Sequence, residues 1–351
     1  MSRRPHRRPG LLRPVERALA VGGLGTVVAT GALSALAVER RRRRHAWLAD
    51  TDPLGPKGCS LPPGRELVVA TDDGARLAVT VAGPDDGPTV VLPHCWTGTR
   101  ETWGAVARRL VLGGHRVVLY DQRGHGRSTA PDDHVPSIPQ LGHDLRAVLD
   151  ATDSTDVLLA GHSMGGMTIQ AYALEHPDHF AAHVRGAVLV STAARTLGRE
   201  VPARLVHALM GDAGPAWTRQ GAIARRMVRR TIGKAARRSH IQATLDAWAA
   251  TTGNARAGYL VAMSAMDLRR CLPGLQVPTT VMVGTHDRLT PVRAAKALAE
   301  HLPDVKLLVL PGAGHMLPLE APDRIIDAIK ATAARAEPRS RTTSQPTTAD
   351  A

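Results

Sequence analysis

A serine set among glycines, Gly161-His162-Ser163-Met164-Gly165-Gly166, separates two stretches of different periodicity. Before it, residues 156–160 (Asp-Val-Leu-Leu-Ala) form a short apolar run of the kind that becomes a strand buried on both faces. After it, residues 167–175 have helix-forming character and stop at His176-Pro177, because the residue before a proline is pushed out of the helical region. A chain that passes from buried strand to helix in so few residues must bring the two backbones together. Gly161 and Gly165, two positions to either side of Ser163, remove the side chains that would prevent it. The turn predicted here lifts the serine above the edge of a parallel sheet and aims the Met164 amide at the space over its oxygen. Five-residue matches to G-x-S-x-G arise by chance. The flanking strand and helix are what constrain the fold.

A serine hydroxyl becomes a useful nucleophile only when a base takes its proton, and the base needs an acid to orient it. Two more β-rich runs follow, residues 277–283 and 305–310. The first leads into Gly284-Thr285-His286-Asp287 and the second into Pro311-Gly312-Ala313-Gly314-His315. Asp287 and His315 are thus predicted just beyond the carboxyl ends of strands, where open α/β sheets place their sites. Singly, Asp287 reads as a turn aspartate, His315 as a satisfied loop histidine and Ser163 as a buried polar residue. The order Ser, Asp, His, each in its strand-loop context, favours the chemical reading.

On these residues, with Leu92-Pro93-His94-Cys95-Trp96-Thr97-Gly98 and Asp121-Gln122-Arg123-Gly124-His125-Gly126-Arg127-Ser128, the chain from Arg65 to Ala333 resembles the α/β-hydrolase fold family. The resemblance implies an α/β domain over residues 65–333, with a mostly parallel central sheet flanked by helices. It also implies a helical cap inserted at about residues 196–272. The implied activity is that of an esterase- or lipase-like serine hydrolase cleaving carboxylic esters through an acyl-enzyme. Ser163 is then nucleophile, His315 base and Asp287 acid, with the amides of Trp96 and Met164 holding the oxyanion; no metal or cofactor is required. Family members usually carry His-Gly where this chain has His94-Cys95. Cys95 has no elbow of its own and is expected as a small wall residue, while Asp121, Arg123 and His125 are expected to hydrogen-bond within a supporting loop. A serine nucleophile excludes the usual chemistry of epoxide hydrolase and dehalogenase relatives, which use an aspartate. Cofactor-free haloperoxidases (perhydrolases) share the same three residues and stay open, as does a slow-turnover ligand-sensing protein.

Composition narrows the partners. Net charge is +14, and it is concentrated: residues 1–45 and residues 195–240 carry about +9 each. Aromatic residues make up only 3% of the chain, so the stacking platforms of single-strand nucleic-acid binders are missing and no nucleic-acid partner is expected. An anionic membrane surface fits better. Residues 18–38 carry no charge, are long enough to span a bilayer as a helix, and lie between arginine clusters. They predict a single-pass N-terminal transmembrane anchor, with orientation open. A cleaved signal peptide ending near Ala35-Leu36-Ala37 is the rival, opposed by the five arginines from Arg40 to Arg44. Residues 46–64, with Pro53, Pro56, Pro62 and Pro63, read as a linker lifting the enzyme off the membrane, and residues 334–351 as a disordered tail. The partner expected in the site is a small, apolar ester.

His176, His179 and His183 have spacings that one helix face would gather, but Pro177 interrupts it, and no metal site is expected. Within the cap, residues 204–210 and 222–232 have helical patterns, with Leu205, Leu209, Met210, Val228 and Ile232 among the residues expected to pack it onto the body. Cys59, Cys95 and Cys271 are too scattered for a disulfide framework.

Overall fold

The computed structural model describes residues 56–196, 200–212, 228–229, 231–234 and 237–336. The chain divides between Pro53 and Leu54 into two units, and all described residues belong to the second. The anchor expected at residues 18–38 and residues 337–351 of the expected tail lie outside the described residues, whereas the start of that tail is ordered, because the last helix, Pro322–Arg335, runs on into it. Among those described, no helix is long and apolar enough to cross a membrane.

Eight strands form one sheet: β1 (Arg65–Ala70), β2 (Arg76–Ala82), β3 (Thr89–Pro93), β4 (Arg116–Tyr120), β5 (Val157–His162), β6 (Val184–Val190), β7 (Thr279–Gly284) and β8 (Val305–Leu310). Their order is β1-β2-β4-β3-β5-β6-β7-β8. β1 and β2 are antiparallel to their neighbours and the other six strands run parallel. Every residue of β3, β4, β5 and β7 is buried, as the apolar runs require of strands covered on both faces.

Alternation along the strands divides the core. Val91, Val118, Leu159 and Leu189 face a cluster completed by helices Ile138–Ala151 and Met164–Glu175. Their sequence neighbours Val90, Leu119, Leu158 and Val188 face a second cluster with helices Gly104–Leu112 and Pro322–Arg335. Period-two patterning therefore builds both layers from the same strands. The sheet reverses its winding at β3, which has β4 on one side and β5 on the other. The crevice outside the carboxyl ends opens there.

Between β6 and β7 the chain leaves the sheet as a cap. Its two ends are joined by a bridge pairing Arg195 with Asp267, with the Thr196 amide donating to the Met266 carbonyl and the Leu268 amide to that of Ala194. The helix expected over residues 204–210 is Ala203–Met210, but its burial differs from expectation. Val206 is buried, whereas Leu205 and Leu209 are 56% and 40% exposed. Helices Arg238–Ala250 and Gly253–Ala265 lie outside the helical patterns legible in the cap sequence. Most of the segment expected to be helical at 222–232 lies outside the described residues; Val228 and Ile232 within it are buried.

The described part of the expected linker is packed, not free. Pro56–Cys59 form a 3-10 turn, and the Arg108 guanidinium donates to the carbonyls of Gly58 (2.7 Å) and Ser60. Gly104 permits this contact, since a Cβ there would lie 2.3 Å from the Cys59 oxygen.

Candidate active site

Ser163 follows β5 directly with φ +53° and ψ −113°, a left-handed backbone that a serine adopts only under constraint. The constraint is on both sides. Its amide donates to the Val190 carbonyl at 2.8 Å, and its carbonyl accepts the Thr192 hydroxyl at 2.7 Å. A Cβ on Gly161 would lie 2.4 Å from the Gly165 oxygen, and one on Gly165 would lie 2.1 Å from the Pro93 oxygen. Only glycine lets strand, turn and helix close in this way. Helix Met164–Glu175 starts directly after the serine, three residues earlier than the helical pattern begins, and its first amide belongs to Met164.

Asp287 and His315, from the loops after β7 and β8, lie side by side. His315 Nδ1 lies 2.9 Å from Asp287 Oδ2, and both side chains are buried. The other carboxylate oxygen accepts the amides of Leu289 (2.9 Å) and Thr290 (2.8 Å), and the Thr290 hydroxyl donates to Oδ2 at 2.8 Å. Burial pushes this carboxyl upward. The facing His315 and the Thr290 hydrogen bonds outweigh it and hold Asp287 at about 2, against an ordinary 3.8. Asp287 therefore stays an anion throughout the neutral range and keeps the proton of His315 on Nδ1, which leaves Nε2 free to accept.

The backbone of His315 is held just as firmly. Its amide donates to the Thr231 carbonyl at 2.6 Å, and its carbonyl lies 2.8 Å from His162 Nε2. His162 is fully buried and held near 3 by that burial, so it is the neutral imidazole that donates there. Thr290, His162 and Glu320, which bonds the amides flanking His315, are site residues that the sequence pattern does not single out. Of the three, only Thr290 has a local signal, because an aspartate three residues before a threonine is a turn-forming spacing.

The loop after β3 presents Trp96. His94 Nε2 accepts the Gln122 amide at 2.9 Å, which puts its proton on Nδ1, 2.7 Å from the Cys95 carbonyl. Burial drives His94 well below the ordinary histidine range, so it stays neutral and the arrangement is fixed. Gln122 closes the ring by donating to the His94 carbonyl at 2.6 Å and accepting from Thr168 on the helix behind Ser163. Cys95 is buried, and burial pushes its thiol up to about 12, so it carries no thiolate at neutral pH.

The Asp121–Ser128 loop is held by polar pairs centred on the buried side chains of Asp121, Arg123 and His125. Asp121 accepts the amides of Arg100 and Arg127 at 2.9 Å each, and Arg123 forks between Asp144 and Asp73. His125 Nδ1 bonds the Arg123 carbonyl. His176 closes one helix and Pro177 opens the next, while His179 and His183 stack at 3.8 Å. Among the described residues no three His, Cys, Asp or Glu side chains are gathered to hold a metal.

Ser163, His315 and Trp96 border one cavity of about 780 Å³. That is the size range of small-molecule sites. Its apolar walls come from the body (Met167, Leu319) and from the cap (Met210, Trp248, Met263), and Cys59 of the packed N-terminal segment completes them. Trp96 donates its indole N–H to the Arg256 carbonyl at 3.1 Å and meets Trp248 edge-to-face at 5.4 Å, so the loop after β3 and the cap are in direct contact.

Known proteins agree with this architecture. A family model described as Serine aminopeptidase, S33 matches residues 87–322. RutD of Variovorax paradoxus, named for carbamate hydrolysis, is 33% identical over 247 residues, spanning 68% of this chain and 89% of its own. The bifunctional esterase/perhydrolase DCH of Acinetobacter calcoaceticus is 29% identical over 276 residues, or 71% of this chain and 93% of its own. A solved thermophilic esterase from Thermogutta terrifontis superposes with TM-score 0.65 at 27% identity, covering 77% of this chain and 98% of that one. By this match, and by its serine turn, sheet order and cap, the chain belongs to the serine aminopeptidase S33 family of hydrolases with the α/β-hydrolase fold.

Proposed function

We propose that this protein hydrolyses carboxylic esters of apolar, small-molecule substrates through an acyl-enzyme on Ser163. His315 Nε2 takes the Ser163 proton as Oγ bonds to the ester carbonyl carbon, and the carbonyl oxygen becomes an oxyanion facing the amides of Trp96 and Met164. Collapse breaks the bond to the alcohol oxygen, which leaves with the proton from His315. Water, deprotonated by the same imidazole, then releases the acid and restores Ser163. Asp287 orients His315 and stabilises its charged form. The observation that carries this reading is the joint opening of the strained Ser163 turn and the Asp287-paired His315 onto one apolar cavity. Hydrogen peroxide in place of water would give a peracid. The likeness to an esterase/perhydrolase favours that as the second reading.

The test is labelling by a fluorophosphonate together with hydrolysis of p-nitrophenyl esters of increasing chain length. Ser163→Ala should abolish both, with thermal melting unchanged. Turnover near the parent level in that variant refutes the serine mechanism. Labelling without turnover supports the slow ligand-sensing alternative.

Membrane attachment through residues 18–38, with the basic segments against anionic lipid, is also proposed. It is supported by the uncharged stretch and its arginine flanks.

A further inference from the structure

Outside the reacting groups, one carboxylate stands at a junction that neither the fold nor the proposed chemistry explains. Glu320, half-buried in the short helix Leu317–Glu320, accepts three backbone amides. Its Oε2 takes Gly314 and Gly233, each at 2.8 Å, and its Oε1 takes Met316 at 3.0 Å. Gly314 and Met316 are the two neighbours of His315, whereas Gly233 belongs to the cap. Further bonds run across the same line, from the His315 amide to the Thr231 carbonyl and from the Lys234 amide to the Gly312 carbonyl at 3.0 Å.

The glycines show how tightly the two backbones are laid together. A Cβ on Gly233 would lie 2.4 Å from the Gly312 oxygen and 2.7 Å from Glu320 Oε2. One on Gly314 would lie 2.3 Å from the Gly233 nitrogen. Residues 231–234 of the cap and 312–316 of the histidine loop thus form a seam with Glu320 bonded into both sides.

We propose that Glu320 is a positioning residue that ties the presentation of the His315 imidazole to the seating of the cap, so that the base is aligned only while the cap segment 231–234 is docked. The inference rests on the assignment of His315 as the base. A carboxylate suits the task because it accepts at both oxygens. Glutamine at 320 would turn an amide N–H2 toward amide N–H groups, breaking either the Met316 bond or the shared bond to Gly233 and Gly314. Misplacing a reacting group by about 1 Å costs on the order of a hundredfold in rate.

Full-length Glu320→Gln and Gly233→Ala, which open the seam from opposite sides, and their double variant provide the test. The substrate is p-nitrophenyl butyrate, and peptide-level hydrogen exchange is followed alongside. Each single variant should lose roughly ten- to a hundredfold in kcat with KM within about threefold, and the double variant should lose little more than either. Exchange should rise together in peptides over 228–234 and 312–317, since one opening exposes both. Additive losses, unchanged kcat in Glu320→Gln, or faster exchange confined to the loop would overturn the proposal. Should the parent protein lack esterase activity, the function reading fails separately. The exchange arm still decides whether cap and loop open as one. Should one variant fail to fold, the other and its exchange pattern decide alone.

Discussion

Replacing Asp287 with asparagine exchanges a single oxygen, and the surrounding donors determine the effect on catalysis. Two backbone amides bond one carboxylate oxygen, while the Thr290 hydroxyl and His315 Nδ1 address the other. Asparagine has one carbonyl for these two sets. If it serves the amides, its N–H2 faces His315, whose Nδ1 must then accept. The imidazole proton moves to Nε2, and the ring can no longer take a proton from Ser163. The opposite flip sets N–H2 against two N–H groups at a cost of about 1–3 kcal/mol for each buried group left unsatisfied. The first arrangement should dominate, so kcat should fall on the order of 10⁴-fold, equivalent to about 5.5 kcal/mol of barrier, with KM little changed.

Stability responds too. Holding the carboxyl at about 2 instead of 3.8 corresponds to stabilisation on the order of 2 kcal/mol. Because the folded value is the lower one, this contribution is complete above about 4 and is lost as pH falls through about 2. The parent protein should lose it across that window, whereas the asparagine variant has no such titration and should show a flatter acid limb. Ester turnover at neutral pH and urea unfolding at neutral and acidic pH measure both effects. A variant within tenfold of parent kcat, with an unaltered urea midpoint, would refute the assignment of Asp287.

Gly165→Ala should destabilise by about 1–3 kcal/mol or leave the protein insoluble, because its Cβ meets the Pro93 backbone at 2.1 Å and neither partner is a flexible side chain; urea unfolding measures this. Deleting residues 1–45 should release the enzyme from the membrane fraction after a high-salt wash and leave ester hydrolysis intact. Uncut full-length protein in the soluble fraction would end the anchor reading, and a product starting near residue 38 would favour a signal peptide. Deleting residues 1–64 should in addition raise KM, since it removes the Cys59 wall and the carbonyls bonded by Arg108.

How far the sequence reveals this structure depends on whether a feature is written in neighbouring residues. The strands around Leu159, Val281 and Leu308 are short apolar runs between turn residues, so the sheet and the loops carrying Asp287 and His315 are directly legible. The glycines at 161 and 165 encode a close approach that is local in the chain. The roles of His94, His162 and Glu320 depend on partners 28, 153 and 87 positions away, and no spacing rule reports such bonds. The cap misleads for another reason. Leu205 and Leu209 look like its packing stripe, yet Val206 is the one buried, and helix Gly253–Ala265 is packed on several sides and shows no single apolar face.

The edge-to-face pair of Trp96 and Trp248 has an optical consequence. The chain has only five tryptophans. Two of the three described ones touch each other, one on the loop after β3 and the other in the cap, while Trp103 is sealed in the core with its N–H on the Pro93 carbonyl. Edge-to-face indoles at this separation couple electronically, and both border the cavity that Ser163 lines. Near-ultraviolet circular dichroism and indole emission therefore carry a built-in record of whether cap and body are in contact, readable without a label or a substrate.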